Sequence, residues 1–198
     1  MTTRTRLNKA LGKFGRLDAK SWRYKLIQLM GYLLYGRKIG YLSWWQHGSR
    51  TAGVIFTHKG KVLLGKRAHN IPDAPDTYGY VGGFIDGGET IRDGLVREIK
   101  EETGLELDAS VFDRPPEHIN ETLGVNITEQ TNIDLLSMLF VQELTAEQVA
   151  QIRPLDETAY YIWATLEDVI AYDEKGQMGF PHQVQRIKEM YAKGYIKA

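Results

Sequence analysis

The sequence contains no cysteine, so disulfides and thiolate metal sites are excluded. Any metal ion must be held by oxygen or histidine ligands. The absence fits a reducing compartment, and the cytoplasm is the expected one. Long hydrophobic runs are missing too. The longest apolar stretch near the start, residues 26–35, is too short to span a bilayer and is closed by Arg37 and Lys38. No small-residue cleavage site follows it, so it does not read as a secretory signal. Internal repeats and low-complexity tracts are also absent. The histidines show no metal-ligand spacing: His58 sits in a turn, His69 and His118 in loops, and His182 near a helix start.

Acidic residues are nearly missing from the first quarter. Residues 1–50 carry eleven Lys/Arg and one acid, Asp18, whereas the remaining 148 hold 14 bases and 24 acids. The zero net charge therefore conceals a basic arm on an acidic body. Such an arm suits docking onto its own domain, an RNA, or a membrane surface. Leu7, Leu11 and Phe14, then Trp22, Leu26, Ile27, Met30 and Leu33, recur at helical spacing, so the arm is expected to be helical. Being basic and amphipathic, residues 1–30 also fit an organelle transit peptide or an interfacial helix.

From residue 51 the pattern changes. Residues 52–56 and 61–65 read as two short strands joined by a turn at His58-Lys59-Gly60. A Pro- and Asp-containing loop spans 70–77. Further strands are expected over 134–144 and 160–164, and helices over 146–152, 166–171 and 183–193. Strands and helices mixed without a regular βαβ rhythm predict an α/β sandwich with a mixed sheet. The expected division is a basic helical extension over 1–50 and a folded domain over 51–198.

Residues 90–103 have the spacing of a helix. Ile91, Leu95 and Ile99 form one apolar face, and Gly104 fits the position after the last turn. Glu98, Glu101 and Glu102 stand at i, i+3 and i+4, so their carboxylates share a different face. Like charges at that spacing cost a helix a few tenths of a kcal/mol per pair. A divalent cation reverses the sign, because clustered hard oxygens suit Mg²⁺ or Mn²⁺. Arg97 lies beside them, and its planar fork can orient a carboxylate. Gly82, Gly83, Gly87 and Gly88 precede the helix. Taken alone, the acidic run also reads as a solvated face after a glycine turn.

The full spacing is more specific. Gly83, five residues, Glu89, seven residues, then Arg97-Glu98-Ile99-Lys100-Glu101-Glu102-Thr103-Gly104-Leu105 resembles the Nudix box at every fixed position. One departure is Val81, where the family usually has proline before the double glycine. The resemblance extends more weakly over residues 51–191 and does not cover the first 50. It implies an α/β/α sandwich that hydrolyses a nucleoside diphosphate linked to another group. It further implies Glu98, Glu101 and Glu102 as metal ligands with the Gly83 carbonyl, Glu89 as their support, and Arg97 as the residue holding a glutamate. Glu157, ahead of an expected strand, is the candidate general base, with Glu121, Glu129 and Asp134 as weaker rivals. Arg67 is the candidate diphosphate contact, and Tyr80 and Phe84 are candidate substrate contacts, with Tyr78 and Tyr160 beside them.

Substrate identity is less legible. The Ser-Gln-Pro-Trp signature of NADH-cleaving relatives, the proline that marks many ADP-ribose hydrolases, and the coenzyme A signature are all missing. Even so, Gly83-Phe84-Ile85-Asp86-Gly87-Gly88-Glu89, Asn132-Ile133-Asp134 and Gly179-Phe180-Pro181-His182 look most like the ADP-ribose and NADH pyrophosphatase side. The alternatives are a sanitising hydrolase for modified nucleoside triphosphates, a hydrolase for RNA 5′ ends or caps, and a non-catalytic nucleotide-binding module. Compatible partners are a nucleotide-type small molecule, RNA or a membrane surface through residues 1–50, and a second copy of the chain. If the arm serves RNA, salt-dependent RNA binding will disappear on deleting residues 1–50. No RNA binding at low salt removes that reading.

Overall fold

The structure, a computed structural model, describes Leu29 and residues 49–71, 74–86, 89–128, 131–155 and 157–197. Apart from Leu29, which is helical, and residues 49 and 50, the expected helical arm lies outside the described residues, as do Gly87, Gly88 and Glu129. The chain divides into two compact units. One comprises residues 49–121 and 135–198; the other comprises 1–48 with 122–134. A segment from the middle of the sequence, residues 122–134, thus falls in the same unit as residues 1–48.

The sheet is mixed, as the pattern predicts. Strand β1 (Ser49–His58) turns at Lys59 and Gly60 into β2 (Lys61–Arg67). Two short strands follow, β3 (Tyr78–Gly79) and β4 (Val81–Phe84), then the long β5 (His118–Thr128) and β6 (Thr131–Glu143), and finally β7 (Thr158–Ala164). β1 runs parallel to β6 from Ser49↔Leu135 to Thr57↔Glu143. Its other edge is shared: residues 51–54 pair antiparallel with β4, and Thr57 and His58 pair with β2. β2 in turn pairs antiparallel with β3 and β7. β3, β4 and β5 were not expected from the sequence. His118 therefore opens a strand rather than sitting in a loop, and His58 ends one, its Nδ1 2.9 Å from the Leu144 carbonyl.

Alternation along the strands sends side chains to two cores. Val54, Phe56, Leu63 and Phe140 face helix α1 (Ile91–Thr103), whose Leu95 and Ile99 are fully buried against them. This is the apolar face that Ile91, Leu95 and Ile99 predicted. Ile55, Val62, Leu64, Leu139 and Val141 face the other way, onto Val169 of α3 (Leu166–Glu174) and Val184, Ile187 and Met190 of α4 (Pro181–Ala192). A single-turn helix, α2 (Ala146–Val149), lies between β6 and β7. The result is helix, sheet, helix: the α/β/α sandwich.

α1 is held at both ends. The Thr90 hydroxyl accepts from the Asp93 N–H at 3.1 Å, a cap worth about 1 kcal/mol. Gly104 closes the helix at φ 71°, where a side chain would be strained, and its N–H donates to the Lys100 carbonyl. Inside the last turn the buried Thr103 hydroxyl donates to the Ile99 carbonyl and accepts from the Leu105 N–H. Leu95→Ala should therefore cost about 2–5 kcal/mol in denaturant unfolding, because its site is fully enclosed. A loss below 1 kcal/mol would mean that α1 does not form this core.

Candidate active site

Two adjoining strands set the floor. β4 places Gly83 opposite Ala52 of β1, directly under α1. A Cβ on Gly83 would lie 2.5 Å from Glu98 Oε2, so a side chain there would displace this carboxylate. On the next turn Glu101 is exposed, and Glu102 is partly enclosed between α1 and the strands.

Arg97 organises the acids. Its Nε donates to Glu89 Oε1 at 2.9 Å and its Nη2 to Glu89 Oε2 at 3.1 Å, a two-pronged grip. Nη1 donates to Glu98 at 2.6 Å and to Glu101 at 3.2 Å, and Nη2 also reaches the Phe84 carbonyl at 3.1 Å. The Glu89 hydrogen bonds, above all, hold the guanidinium more firmly protonated than usual. Glu89 is itself set by the Asp86 N–H, which donates to Oε2 at 3.1 Å. Arg50 pins the same turn by donating to the Asp86 and Glu89 carbonyls. Reading Arg50 as the end of the basic arm missed this role; its β1 position beside Phe84 and Ile85 is set by strand pairing.

Burial and then crowding raise the pKa values of the acids. Burial pushes the Glu98 carboxyl up, and Glu101 and Asp86 add to the rise, against the hydrogen bond from Arg97. Burial and then the Glu98 charge push Glu102 up to about 8; Arg67 and a hydrogen bond from the Gly82 backbone only partly oppose this. A group of carboxylates that resists ionisation is short of positive charge. Among the described residues no three acids or histidines converge to metal-ligand distance, since Arg97 draws Glu98 and Glu101 toward itself. The donor set still fits a hard divalent cation: carboxylate oxygens, no sulfur, and excess negative charge on one face.

The remaining predicted residues divide by face. β2–β7 pairing, Arg67↔Thr158, brings Arg67 beside Glu157, with Nη2 3.8 Å from the carboxylate. The Ala68 N–H donates to the Glu157 carbonyl, fixing the loop. Both charges act on Glu102, so this pair adjoins the acidic cluster. Tyr80 does not. It points to the opposite core and packs over Gly53, where an added Cβ would meet the ring at 2.7 Å; burial pushes its hydroxyl to about 12. The alternation of β3–β4, invisible without the strand, sends it there, away from the acidic cluster. Phe84 is exposed. Tyr78 is a core residue whose hydroxyl lies 3.1 Å from that of the exposed Tyr160. Tyr161 went unnoticed in the sequence: its hydroxyl is buried beside Thr158, and burial and then the Glu102 charge raise its pKa. A surface concavity of about 380 Å³ lined by Ile91, Phe112, Met138 and Phe140 holds none of these acids, so chemistry rather than volume locates the site.

Comparison with known proteins agrees with this fold. The NUDIX domain family model matches residues 47–183. An ADP-ribose pyrophosphatase of Methanocaldococcus jannaschii is 45% identical over 51 residues, 26% of this chain and 29% of that protein. A bifunctional NMN adenylyltransferase/ADP ribose pyrophosphatase from Francisella tularensis, complexed with AMP and a manganese ion, gives a TM-score of 0.58. It is 17% identical, and the match covers 93% of this chain and 52% of that one. The MutT protein of Methanosarcina mazei Go1 gives 0.54 at 20% identity, over 77% of this chain and 98% of that one. The chain thus spans under a third of the curated relative and about half of the Francisella protein; the structural likenesses show the fold.

Glu102 gives a pH test of the cluster. Its folded-state value lies above the ordinary 4.5, so its contribution to stability is complete below about pH 4.5 and is lost as pH rises through about 8. Metal-free protein should therefore lose stability over that range, and Glu102→Gln should flatten the slope. Urea midpoints measured across the range check this; an unchanged slope assigns the effect to another group.

Proposed function

The chain belongs to the NUDIX domain family, and from that premise we propose that it hydrolyses a phosphoanhydride in a nucleoside diphosphate linked to another group, with Mg²⁺ or Mn²⁺. The observation that carries the reading is the Arg97-centred cluster of Glu89, Glu98 and Glu101, with Glu102 held protonation-prone beside it. When bound, a divalent ion supplies charge neutralisation at the diphosphate and makes water a stronger nucleophile. Glu98, Glu101, Glu102 and the Gly83 carbonyl are the groups that would hold it. Arg67 faces the substrate diphosphate. Water adds to phosphorus, the bond to the bridging oxygen breaks, and the released proton passes to Glu157, the acid beside Arg67.

Within that class, an ADP-ribose- or NADH-like substrate is the preferred reading. The short but 45% identical match to an ADP-ribose pyrophosphatase supports it, as does the Francisella protein solved with AMP and manganese. Modified nucleoside triphosphates and capped RNA are the competing substrates.

With Mg²⁺, a panel of ADP-ribose, NADH, oxidised dGTP and capped RNA should show diphosphate cleavage, strongest on the first two. Glu101→Gln and Glu102→Gln should each lower turnover by at least about a hundredfold, roughly 3 kcal/mol of barrier, and EDTA should abolish it. Undiminished turnover in either variant, or in EDTA, sinks the assignment.

A further inference from the structure

Strand β7 has a partner on one side. It pairs antiparallel with β2 from Val62↔Ala164 to Arg67↔Thr158, and among the described residues its other edge pairs with no strand. Apart from that ladder, no backbone hydrogen bond among the described residues reaches residues 159–164. A free edge is a row of unpaired N–H and C=O groups, which monomeric proteins guard with lysine, proline, short length or a bulge. β7 reads Thr-Ala-Tyr-Tyr-Ile-Trp-Ala, without charge, proline or glycine. Its guard is a bulge at Ala159, where the register shifts between Lys66 and Arg67. That leaves residues 160–164 as a regular edge about 17 Å long.

The edge is apolar on both faces. Ile162 and Ala164 belong to the core under α3 and α4, and the Tyr160 hydroxyl lies 3.1 Å from that of Tyr78 in the same core. Tyr161 and Trp163 pack against the core under α1. On β2, Leu63 and Leu64 are 1% and 0% exposed, whereas Tyr161, Ile162 and Trp163 stay half-buried and Tyr160 is 45% exposed. A strand that covers such an edge must itself be apolar on both faces rather than alternating. Among the described strands, β7 itself combines that pattern with a free edge. Two-fold pairing of a strand with its own copy brings like residues together, so it penalises charge. Residues 160–164 carry none, and the flanking Glu157 and Glu167 lie outside them.

We propose that the outer edge of β7 is an interaction surface whose partner is a second copy of this chain. The two edges pair antiparallel about a two-fold axis and join two sheets into one. The inference is independent of the diphosphate-hydrolase reading. A contact five residues long is small, so the dimer is reversible, with a Kd on the order of 10 µM.

Sedimentation equilibrium of the full chain tests it. Wild type should pass from monomer to dimer between about 1 and 200 µM, Tyr160→Lys should weaken the dimer by at least about tenfold, and Tyr160→Phe by less than about twofold. Because the chain has no cysteine, a single introduced one reports its own neighbours. Cysteines placed singly at Tyr160, Tyr161, Ile162 and Trp163 should form intermolecular disulfides at the one or two positions nearest the axis, where images approach to about 5.5 Å. Tyr195→Cys, on an exposed residue elsewhere, should not. If Tyr160→Lys unfolds, the cysteine series decides alone. A wild-type chain still monomeric at about 200 µM, a folded Tyr160→Lys that dimerises as wild type does, or disulfides no more frequent in β7 than at residue 195 overturns the proposal.

Discussion

Carboxylate repulsion is the constraint around which this domain is arranged. Four glutamates on and before one helix would push each other apart in a solvated chain. Here three of them are gathered by one guanidinium, whose planar geometry satisfies Glu89 twice and Glu98 and Glu101 once each. Lysine offers a point charge and cannot reproduce that fork. The arrangement is only partly neutralised. One arginine meets several acids, and burial together with the residual repulsion raises the pKa values of Glu98 and Glu102. The rest of the domain can be read as the frame that prevents relaxation: a glycine under Glu98, a capped helix above, and Arg50 closing the intervening turn.

Stability and reactivity are therefore opposed at one place. The core residues Leu95 and Ile99 stabilise α1, and on the same helix the acids spend part of that gain. Sharing one helix between a packing face and a reacting face lets the apolar side fix the acidic side to within a rotamer. Arg67 ends β2 and Glu157 precedes β7, and the two meet because those strands are neighbours.

What the sequence reveals follows from how local each signal is. α1 repeats its apolar residues every turn, so its face, its acids and its Gly104 terminus are legible from residues 90–104. β4 is Val-Gly-Gly-Phe, with no alternation to read, and becomes a strand through the hydrogen bonds that β1 offers. β5 mixes Asn, Glu and Gly into a strand and gives no clean period. The face that Tyr80 takes is likewise not local, because it depends on the strands that flank it. The Arg67–Glu157 approach joins residues 90 apart in sequence. No window short enough to show periodicity contains both.

β1 is the strand through which all of this communicates. One edge is parallel to β6 along nine residue pairs, and the other is divided between β4 and β2. Parallel pairing across 86 residues of chain is a slow closure, since the entropy of that loop is lost before the contacts repay it. Until it forms, β1 lacks its longest partner, and the floor beneath Glu98 has only a four-residue strand to hold it. Competence for chemistry should thus emerge late in folding, as a property of the closed sheet and not of the acidic helix. A nascent chain that has already formed α1 would carry the whole sequence motif and still lack the assembled site.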